Sequence, residues 1–282
     1  MSSLFDFDAK PDAYAVMGNP VAHSKSPRIH AAFAQQTGQR ITYSAIQVDP
    51  GGFPQAVGNF FANGGKGLNV TVPFKQEAWA LVAKRGAEAE LAGAVNTILL
   101  DHDGALVGRN TDGIGLVRDI CDNHGGRIAG QRVLLIGAGG AARGVLEPLL
   151  AQQPAHIVIA NRTPDRAHEL AKIFSALGDV QGCGFDDLRG RSFDLLINAS
   201  ASSLHGEVPP LPEGVVANGG WCYDMMYGAE PTPFVRWGLA HGAAQSLDGL
   251  GMLVEQAAES FFLWRGVCPD TRPVLAMLRE AL

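Results

Sequence analysis

The 282-residue sequence has few charged residues, few cysteines and no long apolar run. Charged side chains make up 18% of the chain, against about 25% in an average globular protein. The net charge is −6 and lysines and arginines form no cluster, which argues against a nucleic-acid-binding protein. No apolar stretch reaches the roughly 18 residues of a membrane-spanning helix.

The four cysteines are too far apart for a C-x-x-C pair, which argues against a zinc knuckle or a disulfide framework. The N-terminal segment MSSLFDFDAKPD is acidic and lacks the basic-then-apolar order of a signal peptide. Both observations predict a cytoplasmic protein. The spacings of zinc-protease helices and calcium loops are also missing, so we expect no metal.

Glycine is in excess, at 35 of 282 residues, or about 12% against a typical ~7%. The glycines have no three-residue period, which excludes collagen, and they lie among apolar runs, which argues against disorder. Such an excess indicates many tight turns or backbone that approaches a ligand closely. At about 150 residues per domain, the length predicts two domains, with one larger domain as the alternative.

Strand-like and helix-like segments alternate along most of the sequence, which predicts an α/β protein with parallel sheets. Residues 94–108 indicate a β-hairpin. Ser26 is predicted to be the N-cap of a helix, with Pro27 as its first residue. The glycine-rich polar stretch 124–131 is the best internal boundary between two domains.

The loop GAGGAA, residues 137–142, follows the apolar strand RVLLI and opens a predicted helix. It matches the dinucleotide-binding pattern G-x-G-x-x-G/A. The first glycine permits a tight turn, the second lets backbone approach a pyrophosphate, and the helix N-terminus attracts the anion. We therefore expect a nucleotide here; the alternative is a glycine-rich turn without a ligand.

The residues after the next strand favour NADP over NAD. An NAD enzyme usually has an acid there that binds the ribose hydroxyls. This sequence instead has Asn161, Arg162, Thr163 and Arg166, and guanidinium and hydroxyl groups suit a 2′-phosphate. In the alternative interpretation Thr163 caps the next helix and Arg162 is only solvated. Asp165 is the residue that weakens the NADP interpretation.

Several polar residues stand where a core would have apolar ones. Ser24 and Ser26 end the loop after the first predicted strand, where open α/β sheets bind ligands. Asn69 and Thr71 alternate along an apolar strand and so share one face, and Asn96 interrupts another apolar run. Taken singly, each is better explained as a surface residue or a cap. Together they fit a small polyhydroxylated acid.

Lys75 and Asp112 are the candidate acid–base pair. Hydride transfer to a ketone creates an alkoxide, which a lysine can protonate while a carboxylate orients the lysine. The alternatives are an ordinary ion pair and, for Asp112, a helix cap. His23 is the one histidine near these motifs.

These motifs together resemble the shikimate dehydrogenase family. The resemblance spans nearly the whole chain from Tyr14 and rests on eight segments in the family's order. They are GNPVAHSKSPRIH (18–30), NVTVPFK (69–75), AGAVNT (92–97), NTDG (110–113), GAGGAARG (137–144), NRTPDRA (161–167), YDMMYG (223–228) and DGLGMLVEQAA (248–258).

The resemblance implies reversible, NADP-dependent reduction of 3-dehydroshikimate to shikimate by Lys75 and Asp112. It implies two α/β domains with a cleft between them: a substrate domain, residues 1–112 completed by helices in 248–282, and a Rossmann-type NADP domain, residues 113–247. It implies substrate contacts from Ser24, Ser26, Asn69, Thr71, Asn96, Asp112, Tyr227 and Gln256. It implies cofactor contacts from Gly137, Ala138, Gly139, Gly140, Ala141, Asn161, Arg162, Thr163, Arg166, Met225, Gly249 and Met252.

Two positions depart from the family pattern. Arg109 stands where the family often has an acid, and we expect it to alter the charge at the pocket mouth. Ser200 stands where the family commonly has threonine, beside the nicotinamide. One alternative is a quinate/shikimate dehydrogenase with broader substrate or NAD use, and another is a non-catalytic NADP-binding regulator. We expect a small-molecule substrate and neither nucleic acid nor membrane as partner, and a homodimer is an open alternative.

Overall fold

The computed structural model describes residues 10–282, which form two six-stranded sheets with helices around them. The acidic N-terminal segment used for the signal-peptide prediction therefore lies mostly outside the described residues. The strands of the first sheet are β1 (Asp12–Gly18), β2 (Ile41–Gln47), β3 (Gly65–Val70), β4 (Lys84–Arg85), β5 (Thr97–Leu100) and β6 (Leu106–Arg109). Its connecting helices are α1 (Ser26–Thr37), α2 (Phe53–Ala62), α3 (Lys75–Leu81) and α4 (Ala87–Ala92).

The first sheet has the strand order β2-β1-β3-β5-β6-β4 and is mixed. Strands β1, β2 and β3 are parallel, as the alternating pattern predicts. Strand β5 runs antiparallel to both β3 and β6. The β5–β6 pair is antiparallel because the predicted hairpin joins these strands by a loop too short for a crossover.

The second sheet is wholly parallel, with the order β12-β11-β10-β7-β8-β9. Its strands are β7 (Arg132–Ile136), β8 (His156–Ala160), β9 (Val180–Cys183), β10 (Phe193–Asn198), β11 (Val216–Asp224) and β12 (Gln245–Leu247). The remaining helices are α5 (Asp112–Arg118), α6 (Gly140–Ala151), α7 (Pro164–Phe174), α8 (Pro233–Ala240), α9 (Leu250–Arg265) and α10 (Arg272–Glu280). The strand order reverses between β7 and β10, so the loop 137–139 leaves β7 at the topological switch point where such sheets bind ligands.

Helix α9 lies late in the chain but packs on α1, beside the first sheet. Ile29 and Phe33 of α1 form one buried cluster with Val254 and Phe261 of α9. The C-terminal part of the chain is thereby brought to the carboxyl ends of β1 and β3. The exact domain boundaries stay a prediction.

Helix α5 continues directly into a π-helical turn, Asp119–Asn123. Gly115 lets α5 approach α9 closely, since a Cβ there would lie 2.8 Å from the backbone nitrogen of Gln256. This close approach sets Asp112 and Gln256 on one site. None of the helices within residues 10–282 is both long and apolar enough to cross a membrane.

One helix start differs from the prediction. Ser26 is the first residue of α1 and Lys25 occupies the cap position, so Ser26 is not the N-cap. Pro27 is therefore the second helical residue; proline fits either early position because the first-turn N–H groups need no intrahelical partner. The Oγ of Ser24 accepts the backbone N–H of Ser26 at 3.3 Å.

Candidate active site

A cavity of about 390 Å³ opens at the carboxyl ends of β1 and β3; we call it the smaller cavity. The structure brings all of the residues predicted as catalytic or substrate-binding to its wall. They are Ser24, Ser26, Asn69, Thr71, Lys75, Asn96, Asp112, Tyr227 and Gln256. Residues from six separate stretches of sequence thus share one pocket.

Lys75 and Asp112 form an ion pair with 2.5 Å between Nζ and Oδ2. Each is the first residue of its helix, α3 and α5, and both side chains remain partly exposed to the cavity. The other carboxylate oxygen, Oδ1, accepts from Asn96 Nδ2 at 2.8 Å. Asp112 is therefore not a helix cap; Thr111 holds the cap position. The carboxylate holds the ammonium in one place, as a proton-transfer group requires.

Asn96 is buried and its amide orientation is set by the backbone. Its Oδ1 accepts the N–H of Thr111 at 2.9 Å, which leaves Nδ2 to donate to Asp112. Gln256 of α9 also contacts Thr111, with its Oε1 3.3 Å from Thr111 Oγ1. The amide of Asn96 therefore links the Asp112 carboxylate to the backbone of Thr111.

Asn69 forms hydrogen bonds with several protein groups, and two of these partners, Tyr43 and Ser260, were not predicted from the sequence. Its Oδ1 accepts from Tyr43 OH at 2.7 Å, and its Nδ2 lies 3.0 Å from Ser260 Oγ and 3.1 Å from Thr97 Oγ1. Ser260 could have been found from its spacing, because it lies four residues after Gln256 on the same face of α9. Tyr43 gave no signal, since it sits in an ordinary strand pattern.

The remaining wall combines hydroxyl groups and cations. Lys25 and His23 line the cavity beside the two predicted serines, and Lys25 is a positive charge that sequence reasoning passed over. Burial raises the pKa of Tyr227, with a smaller contribution from the carboxylate of Asp248. The Tyr227 hydroxyl therefore stays protonated at neutral pH and can donate a hydrogen bond.

A second cavity of about 700 Å³, the larger cavity, lies between the first and second sheets. Seven of the predicted cofactor residues line it: Ala138, Gly139, Gly140, Ala141, Arg166, Met225 and Met252. Lys75 and Asp112 line it as well, so the ion pair stands where the two cavities meet. A Cβ built on Gly139 or Gly140 would meet nothing within 4 Å. The backbone at the start of α6 is thus open to a ligand, which fits a dinucleotide pyrophosphate.

Five predicted cofactor residues lie outside the larger cavity wall. Gly137 is buried beneath the loop with φ +106°, a value that favours glycine at this tight turn. Asn161, Arg162 and Thr163 follow β8, and Gly249 lines the smaller cavity instead. Their contacts with a cofactor stay a prediction.

The capping interpretation of Thr163 is confirmed for its position but not for a capping hydrogen bond. Thr163 occupies the cap position of α7, but its side chain makes no capping hydrogen bond. Arg162 and Arg166 are exposed and, within residues 10–282, neither forms an ion pair, Asp165 included. The hydroxyl and both guanidinium groups are therefore available to an anion.

The two residues that depart from the family pattern, Arg109 and Ser200, each bond a nearby side chain. Arg109 Nε pairs with Glu88 Oε1 at 2.5 Å and lines neither of the two cavities, so its charge is neutralised away from the mouth. Ser200 Oγ donates to Asn198 Oδ1 at 2.6 Å. Neither departure touches the Lys75–Asp112 pair.

Comparison with known proteins gives one consistent result. Family models match in three segments: shikimate dehydrogenase substrate binding domain over residues 16–98, shikimate / quinate 5-dehydrogenase over 119–205, and shikimate 5'-dehydrogenase C-terminal domain over 249–279. A shikimate dehydrogenase (NADP(+)) of Nitrosococcus oceani is 61% identical over 272 residues, which cover 96% of this chain and 96% of that protein.

Solved structures match over nearly the whole chain. The crystal structure of an Ael1 enzyme from Pseudomonas putida matches with a TM-score of 0.89 and 45% identity, covering 95% of this chain and 98% of that one. Shikimate 5-dehydrogenase from Thermus thermophilus, solved with NADP(H) and shikimate, matches with a TM-score of 0.85 and 32% identity, covering 96% of this chain and 100% of that one. From its sequence, its two sheets and its paired cavities, this chain belongs to the shikimate dehydrogenase family.

Proposed function

We propose that this chain catalyses the reversible, NADP-dependent reduction of 3-dehydroshikimate to shikimate. The observation that carries the proposal is the Lys75–Asp112 ion pair at the junction of the smaller and larger cavities. A group placed there can exchange a proton with a substrate in one cavity while a cofactor in the other exchanges a hydride. Relatives named shikimate dehydrogenase (NADP(+)) support the same reaction.

In the reducing direction, NADPH held in the larger cavity would supply a hydride for the substrate carbonyl carbon. Negative charge then develops on the carbonyl oxygen, and Lys75 donates its proton there to give the alcohol. Asp112 holds the Lys75 ammonium within 2.5 Å and offsets its charge after the proton returns from solvent. In oxidation Lys75 takes up the alcohol proton, so one proton and one hydride balance in each direction.

Substrate recognition follows from the wall of the smaller cavity. We assign the substrate carboxylate to the Ser24 and Ser26 hydroxyls. We assign the substrate hydroxyls to Asn69, Thr71, Asn96, Asp112 and Gln256, with Tyr227 as a further donor. Because the amide nitrogen of Asn69 already faces protein oxygens, Asn69 would accept from a substrate hydroxyl through the free lone pair of Oδ1.

We assign the cofactor to the larger cavity and the loops around it. Gly137 to Ala141 would hold the pyrophosphate, Met225, Gly249 and Met252 would border the nicotinamide end, and Asn161, Arg162, Thr163 and Arg166 would hold the adenosine 2′-phosphate. The support is the open backbone at the start of α6 and two arginines without ion-pair partners within residues 10–282. These assignments make residues 1–112 with 248–282 the substrate domain, and 113–247 the NADP domain.

Steady-state oxidation tests the function, with shikimate or quinate as substrate and NADP⁺ or NAD⁺ as acceptor. We expect shikimate with NADP⁺ to give the highest kcat/KM. Efficient NAD⁺-dependent oxidation of quinate would instead favour the quinate/shikimate alternative. NADP⁺ binding without any turnover would favour the regulator.

The same assay tests the acid–base role. Lys75→Ala should lower kcat by about 10²- to 10⁴-fold, the usual contribution of a proton donor. Lys66→Ala is the matched control, because Lys66 is exposed on β3 and lines neither cavity. Full turnover by Lys75→Ala would contradict the assignment.

We propose a cytoplasmic location, supported by four cysteines that are all free: Cys121, Cys183, Cys222 and Cys268. A monomer and a homodimer remain the two assemblies to distinguish. Sedimentation velocity of the purified chain separates them by mass.

A further inference from the structure

The larger cavity contains a cation that neither the dinucleotide motif nor the proposed function assigns. Arg143 lies in the first turn of α6, where its backbone N–H bonds the carbonyl of Gly139. Its side chain lines the cavity together with Gly139, Gly140 and Ala141. A guanidinium therefore stands beside the open backbone that suits a pyrophosphate.

Arg143 is held in place by residues from the first-sheet side of the cavity. Its Nε donates to the carbonyl of Leu91, in α4, at 2.7 Å. A Cβ built on Gly93 would lie 3.1 Å from the Cζ of Arg143 and 3.2 Å from each terminal nitrogen, so the guanidinium plane lies flat against Gly93. A side chain at position 93 would push the guanidinium away.

The terminal nitrogens of Arg143 remain available for a ligand. Within residues 10–282, Nη1 and Nη2 have no hydrogen-bond or ion-pair partner, although the side chain is partly buried. A partly buried guanidinium with unused donors favours an oxyanion, and its planar fork matches two phosphate oxygens. The N-terminal N–H groups of α6 favour an anion in the same space, because no side chain caps them.

We propose that Arg143 binds the pyrophosphate of the dinucleotide and that Leu91 and Gly93 hold it in that position. This inference rests on the proposed NADP-dependent function. Helix α4 and Gly93 lie on the substrate-domain side of the cleft and orient Arg143, which belongs to α6 and contacts the cofactor. The substrate-domain side therefore contributes directly to cofactor affinity.

Direct titration calorimetry on the full chain tests the inference with two probes. NADP⁺ contains the pyrophosphate, whereas adenosine 2′-phosphate contains only the 2′-phosphate. Arg143→Met should raise the dissociation constant of NADP⁺ by about 10- to 100-fold, the range of a charge-assisted hydrogen-bond pair, and leave that of adenosine 2′-phosphate unchanged. Arg127→Met is the control, since Arg127 also donates Nε to one carbonyl but lines neither cavity.

Unchanged NADP⁺ binding by Arg143→Met would overturn the inference, and equal weakening of both probes would place the contact at the 2′-phosphate and overturn it too. Gly93→Ala should also weaken NADP⁺ binding, whereas Gly104→Ala should not, because Gly104 has a similar positive φ but no neighbour within 4 Å. Wild-type binding by Gly93→Ala would contradict the holding role. A chain that binds NADP⁺ through Arg143 but does not oxidise shikimate overturns the proposed function and leaves this inference standing.

Discussion

The smaller cavity is lined by amides and hydroxyls that already bond one another, whereas the larger cavity is lined by bare backbone and by arginines without ion-pair partners in the described chain. Asn96 and Asn69 each have several protein partners before any ligand arrives. Gly139 and Gly140, by contrast, have no side chain, and no atom lies within 4 Å of where a Cβ would be.

This difference separates two ways of recognising a ligand. The smaller cavity orients each polar group through internal bonds, so it discriminates the pattern of hydroxyls on a small substrate. The larger cavity offers clearance, helix-terminal N–H groups and cations, so it accepts phosphates through charge. Mutations in the smaller cavity should therefore affect both stability and binding, and those in the larger cavity should affect binding alone.

The largest effect on cofactor binding should come from filling the open backbone. Gly139→Val should raise the dissociation constant of NADP⁺ by about 100-fold or more, because the branched side chain would occupy the space of the pyrophosphate. The melting temperature should not change, since a Cβ at Gly139 meets nothing within 4 Å. Calorimetric titration and thermal unfolding measure the two effects, with Gly58→Ala, an open position on α2, as the control. A marked loss of stability would remove the contrast between the cavities.

Removing the arginines should change which cofactor is preferred. Arg162→Met with Arg166→Met should lower the ratio of kcat/KM for NADP⁺ over NAD⁺ by about 10- to 100-fold, because only NADP⁺ carries the 2′-phosphate. Unfolding in urea should be unchanged. Arg189→Met, an exposed arginine of the same half, is the control. An unchanged ratio would show that the 2′-phosphate lies elsewhere.

The sequence predicted most of what depends on local pattern. The strand, glycine loop and helix around residues 132–151 follow from an apolar run, a phosphate-binding turn and a helix start in immediate succession. The polar lining was detectable because Asn69 and Asn96 interrupt apolar strands, where a core residue would be apolar. The first-sheet hairpin was likewise visible from its turn.

Contacts between distant elements were not predictable in the same way. Tyr43 bonds Asn69 only because β2 and β3 flank the same strand, β1, and Arg143 meets Leu91 only because α4 and α6 face each other. The sequence around each partner shows nothing unusual. The start of α1 was predicted one residue too late, because proline is also tolerated at the second helical position, where an N–H would have no intrahelical partner.

Truncating the smaller cavity's central amide should have a moderate effect of two kinds. Asn96→Ala would leave the buried N–H of Thr111 without its acceptor, which should lower the free energy of unfolding by about 2 kcal/mol. It should also raise the KM for shikimate, since Asp112 loses a hydrogen bond that orients it. Urea unfolding and steady-state kinetics measure both, and Asn63→Ala, an exposed amide at the end of α2, should change neither. A higher KM with unchanged stability would mean that mutations in the smaller cavity, like those in the larger cavity, affect binding alone.

The smallest effect should come from His30, a buried side chain behind the smaller cavity. His30 is fully buried and stacks on Tyr43 at 4.2 Å, and neither ring nitrogen has a hydrogen-bond partner among residues 10–282. Burial lowers the pKa of His30 to about 3 from 6.5. The unfolded chain therefore binds the proton first, and stability is lost as the pH falls below about 6.5. Between pH 7 and pH 5.5 this loss amounts to about 1 kcal/mol. His30→Phe keeps the stacked ring and removes the titration, so urea unfolding at the two pH values should show a smaller loss than in the wild type. An equal loss in both would mean that other groups cause the acid sensitivity. His30 would then be stabilised by its surroundings as fully as the amides of Asn69 and Asn96 are.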